Sequence, residues 1–212
     1  AGRGTESRAW MRRLAGDRLL IATHNRGKLA EFAALLTPYG IAPVGAGTLG
    51  LPEPEETEKT YVGNARIKAH AAAKAAGMPA LADDSGIEVD GLNSAPGVHT
   101  ADWAVTPAGR DFRVAMERTW AALEAAGAPY PRTARFRATF VLAWPDGDEA
   151  VFEGQVAGQV VWPMRGANGH GYDPMFVPDG YAVTFAEMDV AEKDRISHRA
   201  DAFQKFAVIL GA

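Results

Sequence analysis

The chain has 212 residues, 47% of them hydrophobic, enough to bury the core of one α/β body with a smaller lobe. No apolar run approaches the ~18 residues needed to span a bilayer, and the absence of cysteine excludes disulfides, thiolate zinc sites and cysteine nucleophiles. A net charge of −4 argues against nucleic-acid binding, which needs a broad basic face, but one anionic small molecule can still be held by a local cluster of cations.

The opening AGRGTESRAWMRR is arginine-rich but lacks the apolar face of a transit peptide. Residues 1–17 are therefore read as a leader or disordered extension before a single domain of two lobes over residues 18–212. Residues 19–23 are an apolar run ending in polar turn residues, which predicts a buried strand. Asn25 is placed to cap a helix carrying Leu29, Phe32, Leu35 and Leu36 at helical spacing, closed by Gly40. Residues 43–59, rich in glycine, proline and glutamate, read as loop. Residues 60–76 are alanine-dense and helical, with Gly77 and Pro79 ending the helix. Residues 79–83 predict a second short buried strand that ends in DDSG.

Thr106 and Pro107 are positioned to open another helix, with Phe112, Met116, Thr119 and Leu123 on one face. Residues 135–144 alternate cleanly, and the turn WPDGDE leads into residues 150–161, so a β-hairpin is expected. RGANGHGYDP reads as a second glycine-rich loop, and Ser197 caps a closing helix with Ala202, Phe203, Phe206 and Leu210 inward. The organisation is α/β first, antiparallel β in the second half, then a closing helix.

Three segments carry chemistry. The junction THNRGK joins strand to helix, where backbone N–H groups and the helix dipole favour an anion. Thr23 and Asn25 add polar side chains, Gly27 allows close approach, and Lys28 adds charge. An ordinary capped helix with a surface lysine is the plainer reading of this segment alone. Asp83 and Asp84 sit where the second strand should end, the end at which ligands gather in open α/β sheets. Adjacent carboxylates there repel unless a cation or proton intervenes, and Mg²⁺ suits carboxylate oxygens. Otherwise they form a polar turn. Glu53, Glu55, Glu56 and Glu58 form an acidic group on the preceding loop, read as a solvated face from which one member can reach the same metal. In EKDRISHR, His198 and Arg199 fall in the first turn of the last helix, where the dipole disfavours cations and a bound anion would rationalise them. His70 and His99 have no partner spacing that suggests a metal.

Taken in order, THNRGK, EET, GNARIKA, LADDSGIEVDGLNSAPGVHTA, GHGYDPMF and EKDRISHRADAF resemble the inosine triphosphate pyrophosphatases, which hydrolyse non-standard purine nucleoside triphosphates. The resemblance spans nearly all of residues 19–210. It implies an elongated mixed β-sheet flanked by helices, two lobes with a cleft between them, a homodimer, a requirement for Mg²⁺ and a cytoplasmic enzyme. It further implies that Thr23, His24, Asn25, Arg26, Gly27 and Lys28 form the triphosphate turn, and that Glu56 and Asp84 are metal carboxylates. Asp84 matches the general base, Ser85 a substrate contact, and His170, Gly171, Tyr172, Asp173, Lys193, His198 and Arg199 the nucleoside and phosphate pocket. Catalysis would rest on Asp84, Lys28 and Lys193. His24 stands where many relatives have glycine, and His170 where relatives often carry a phenylalanine that stacks on the base. The alternatives are a septum-inhibitor-like nucleotide pyrophosphatase, which normally has a serine- and arginine-bearing first turn, and a non-catalytic nucleotide-binding protein.

Overall fold

A computed structural model describes residues 12–210 of the chain. The first apolar run forms β1 (Arg18–Ile21), which feeds through a polar turn into α1 (Arg26–Leu36), with Phe32 and Leu36 buried. A short 3₁₀ turn follows, closed by Gly40 at φ 70°, a left-handed conformation that suits glycine. The stretch expected as loop then begins with a strand, β2 (Ala42–Gly45). It lies at the edge of the sheet, parallel to β1, and an edge tolerates the missing N–H of Pro43. Helix α2 (Tyr61–Ala76) is capped by Thr60 and closed by Gly77, as expected.

The second strand departs from expectation. β3 (Ala80–Val89) runs for 10 residues, so Asp83, Asp84, Ser85 and Gly86 lie in mid-strand and not at its end. It pairs along its whole length with β6 (Thr133–Ala143), from Ala80 opposite Ala143 to Val89 opposite Ala134, and that ladder overrides the turn propensity of DDSG. Thr106 and Pro107 do not open a helix either. They belong to a small hairpin of β4 (Val105–Thr106) and β5 (Gly109–Arg110), in which the Thr106 hydroxyl donates to the Gly109 carbonyl. Gly109 has φ 113°, which no helix allows. α3 (Phe112–Ala125) starts later, under an Asp111 cap. The hairpin of β6 (Thr133–Ala143) and β7 (Glu149–Val160) forms as read from the sequence. β8 (Phe176–Pro178) and α4 (Val190–Ile196) were not anticipated, and α5 (His198–Ala207) closes the fold.

The six-stranded sheet has the order β2-β1-β3-β6-β7-β8, with β1 parallel to both neighbours and the remaining pairs antiparallel. Strand pleating sorts the side chains. Leu81, Asp83, Ser85 and Ile87 stand opposite Leu142, Phe140, Ala138 and Phe136 on one face. That face is apolar at both ends. One end packs Leu81, Phe140 and Phe152 against Phe32, Phe203 and Phe206, and the other gathers Ile87, Val89, Phe136, Val160 and Phe176. Between them it is interrupted by Asp83 and Ser85. The opposite face packs Ala82, Val141 and Ala143 against the alanines of α2. This is the two-lobed α/β architecture with a mixed sheet flanked by helices.

Residues 1–11 of the expected extension lie outside the described residues. From Arg12 the chain is fastened to the fold: its guanidinium covers the Trp144 ring at 4.6 Å and pairs with Asp146, and the Leu14 N–H donates to the Ile209 carbonyl.

Gly154 on β7 lets α5 lie directly on the sheet, because a β-carbon there would come within 2.3 Å of the Ala202 nitrogen and the His198 carbonyl. Gly154→Ala must push α5 outward, and a loss of about 1–3 kcal/mol of stability is expected, read from the urea midpoint.

Candidate active site

β1 stops at Ile21, where it pairs with Leu81, whereas β3 continues for eight residues. The far end of the β3 edge is bridged at Glu88 by Pro96, and the stretch beyond β1 that holds Asp83 to Gly86 borders a cavity of about 540 Å³ between the two lobes. Of the residues singled out from the sequence, Thr23, His24, Asn25, Gly27, Lys28, Glu56, Asp84 and Ser85 line it from the first lobe and β3. His170, Gly171, Tyr172, Asp173, Lys193, His198 and Arg199 line it from the other side. Arg26 does not; it borders a separate small recess beside Gly47 and Thr48.

Because they sit in mid-strand, the two aspartates point to opposite faces and meet different surroundings. Asp83 receives Arg199 Nε at 3.2 Å and Lys28 Nζ at 3.3 Å. Burial pushes its pKa up, but the charges of Arg199, Lys28 and Lys68 outweigh that and hold it well below the ordinary carboxylate range. Asp83 is therefore a fixed anion inside the fold. Asp84 is the reverse case. Its Oδ2 is buried without a hydrogen-bond partner, and burial, with Glu56 and Asp83 nearby, raises its pKa to about 7 despite the opposing charge of Lys68.

The THNRGK turn is shaped from within. Thr23 Oγ1 accepts from the Asn25 N–H, and Asn25 Oδ1 caps α1 by accepting from Gly27 and Lys28 N–H at 2.8 and 3.2 Å. Three of the backbone donors expected to be open to an anion are thus already engaged, and Asn25 acts as the cap. His24 is tied to the Leu51 carbonyl at 2.7 Å, which joins the turn to the acidic loop. Lys28 is partly buried; desolvation lowers its pKa, and Asp83 offsets this in part.

On the far wall, Lys193 Nζ donates to Asp173 Oδ2, which also accepts from the His170 N–H. Asp173 thus positions Lys193 and does not face a ligand freely. Tyr172 is only 1% exposed; its hydroxyl donates to the Thr100 carbonyl and its ring belongs to the core. His198 is stacked on Phe136 with centroids 5.0 Å apart, and burial together with Arg199 pushes its pKa well below 6.5. It is therefore neutral. Arg199 donates through Nη1 to Glu31, Nε to Asp83 and Nη2 to Ser85. The cations expected to need a bound anion at the start of α5 are rationalised internally: one is uncharged, and the other is matched by two carboxylates.

Sequence reasoning missed two members. Lys68 lies on the alanine stripe of α2 with Ala65, Ala69 and Ala72, and reaches the Asp83 carbonyl at 2.7 Å and Glu56 at 2.8 Å. A lysine on an otherwise small apolar face was the signal for it. Glu31 follows Lys28 by one turn on the inner side of α1, accepting from Arg199 and pairing with His170 Nε2 at 2.9 Å. Burial raises its pKa, but the His170 hydrogen bond and the Arg199 charge prevail and bring it to about 2. His70 and His99 pair with Glu149 and Asp102, respectively.

The orphaned Asp84 oxygen is where a hard divalent ion fits. Glu56 lines the same cavity, and no group of three or more His, Cys, Asp or Glu side chains suited to a metal occurs among the described residues. Mg²⁺ commonly takes one or two carboxylates and completes its shell with water and substrate phosphates. The donor set agrees with that habit.

The profile of the Ham1 family matches residues 19–209. The dITP/XTP pyrophosphatase of Ruegeria pomeroyi is 68% identical over 191 residues, covering 90% of this chain and 94% of that protein. The dITP/XTP pyrophosphatase of Agrobacterium fabrum is 51% identical, covering 92% of this chain and 97% of its own. The structure of a HAM1 protein from Coxiella burnetii superposes with a TM-score of 0.84 at 37% identity, covering 91% of this chain and 98% of that one.

The Asp84 environment predicts a stability profile. Folded protein keeps the Asp84 proton up to about pH 7, whereas the unfolded chain releases it near its ordinary 3.8. The folded state thus binds more protons in that window, and this group's contribution to stability is lost as pH rises from about 4 to 7. In metal-free buffer, Asp84→Asn should flatten that decline and gain on the order of 2 kcal/mol at pH 8, measured by urea unfolding across the range.

Proposed function

The chain belongs to the Ham1 family, and on that premise we propose that it hydrolyses ITP, dITP and XTP to the nucleoside monophosphate and pyrophosphate. The names of its relatives support the substrate class. The observation that carries the reading is a buried, unpartnered carboxylate, Asp84, in one cavity with the buried Lys193 and the partly buried Lys28. A protein that only binds nucleotide has no use for such a costly group.

The triphosphate lies against Thr23 to Asn25, Gly27 and Lys28, held by the Thr23 hydroxyl, the His24 N–H and the dipole of α1. Lys193 is buried and Lys28 partly so, and a positive charge held out of bulk solvent is worth more to a developing anion than one in water. The water oxygen bonds to the α-phosphorus as the bridge to the β-phosphate breaks, and pyrophosphate leaves with the bonding electrons. Asp84 orients that water and takes its proton; the Mg²⁺ beside it would lower its pKa below the metal-free value of about 7, so positioning the water is the larger part of its role. Mg²⁺ held by Glu56 and Asp84 would neutralise the charge that accumulates on the departing pyrophosphate.

Base selection follows from hydrogen bonding. Hypoxanthine and xanthine present an oxygen at C6 where adenine presents an amino group, so a donor favours the former. Three of the five guanidinium N–H groups of Arg199 serve Glu31, Asp83 and Ser85. Its remaining protons and the backbone N–H groups near Gly171 are the donors left for the base. A required hydrogen bond of this kind discriminates by roughly 10⁴-fold or more. The resemblance to the inosine triphosphate pyrophosphatases supports a homodimer as the working form, in the cytoplasm.

With Mg²⁺, the protein should release pyrophosphate from ITP, dITP and XTP, little from ATP or GTP, and none in EDTA; orthophosphate release or a pyrimidine preference would overturn the reading. Asp84→Asn should lower kcat by about 10²–10⁴-fold while leaving the fold intact, and turnover near wild type would remove Asp84 from its role. Lys28→Ala should lower kcat/KM for ITP on the order of 10²-fold, and unchanged efficiency would place Lys28 outside the site.

A further inference from the structure

Glu31 divides its two carboxylate oxygens between two elements. Oε2 accepts from Arg199 at 3.0 Å, and Oε1 meets His170 Nε2 at 2.9 Å. His170 stands between Gly169 and Gly171, both at positive φ, on a loop whose backbone is pinned by Asn168 to the Ala186 and Met188 carbonyls and by Asp173 to the His170 N–H. The loop is thus anchored on its own side, but the His170 ring is half exposed, and Glu31 is its hydrogen-bond partner from across the cavity. An ionised carboxylate only accepts, so the proton lies on Nε2. The other charged groups around it are Asp173 on its own loop, Lys193 and Asp194 on α4, and Arg199 on α5; Lys193 is bonded to Asp173, and Arg199 to Asp83, Glu31 and Ser85.

We propose that Glu31 is a positioning residue for His170, bridging the lobes and fixing the ring's orientation and tautomer so that it forms one wall of the nucleoside end of the cavity. A phenylalanine ring at this place has no nitrogen with which to meet Glu31 and could not form the bridge. Histidine, smaller and more hydrated, needs the carboxylate to hold it before substrate arrives. The catalytic part of this inference rests on the function proposed above, whereas the ring geometry does not.

A double-mutant cycle of Glu31→Gln and His170→Phe separates this role from the hold of Glu31 on Arg199. Glu31→Gln should raise KM for ITP by roughly three- to ten-fold, the cost of ordering one side chain on binding, with a smaller change in kcat. In the His170→Phe background the same substitution should raise KM by at least three-fold less, because only the Arg199 contact remains to be lost. Equal fold-changes in both backgrounds would overturn the proposal and leave Glu31 acting through Arg199 alone. The nucleotide-free protein gives a second readout. The ¹⁵N–¹H signal of His170 Nε2 should be observable in the wild type and broadened by exchange with water in Glu31→Gln. If that signal is the same in both proteins, the bridge does not exist in solution. If the signal changes but ITP and XTP are not hydrolysed, the bridge stands and the proposed substrate class fails.

Discussion

A carboxylate in the middle of a buried strand is tolerated only if its charge is met within the fold, and Asp83 imposes that demand here. Its side chain interrupts the apolar face of β3 between two hydrophobic clusters and is answered by Arg199 from α5 and Lys28 from α1. Lys68 from α2 reaches the backbone carbonyl of the same residue. Three helices from different parts of the chain are thereby aimed at one point. Such a buried network adds little net stability compared with an apolar replacement, but losing one partner strands the others at a cost of about 3–5 kcal/mol. Its value is positional: it decides where the helix ends, and therefore the cavity walls, must lie.

Adjacent residues with the same chemistry acquire opposite properties from the pleat of one strand. Asp83 turns toward α1 and α5 and is held ionised, whereas Asp84 turns toward the open cavity, where burial without a partner raises its pKa to neutrality. The first organises the site, and the second is the group to which we assign the reaction. Had the pair occupied a turn, as DDSG suggests, both carboxylates would have faced solvent and neither role would exist.

Close backbone approach does comparable work elsewhere. Gly86 follows the acidic pair on β3, and a β-carbon there would come within 2.3 Å of the Gly97 carbonyl, so the segment around Thr100 can fold down beside the strand. Gly154 does the same beneath α5, which brings Arg199 within reach of β3. These glycines do not touch a ligand; they set the distances at which charged side chains meet.

Much of this was legible in the residues. Apolar spacing and caps located α1, α2, α5 and the β6–β7 hairpin, because those signals are local and the chain's periodicity carries them directly. The motifs from Thr23 to Arg199 identified the chemistry, since groups that handle phosphate and metal are few in kind. Only the tertiary structure decided that β3 runs through DDSG, because the ladder to β6 outweighs turn propensity and pairing partners are not written locally. It alone decided that Asp173 holds Lys193 and that His198 is neutral, since each depends on burial and on neighbours from distant segments. Lys68 and Glu31 escaped notice for the same reason: a single charge on a helix is ordinary until the fold places something beside it. Sequence determined which groups the protein owns, and packing determined which of them remain free to act.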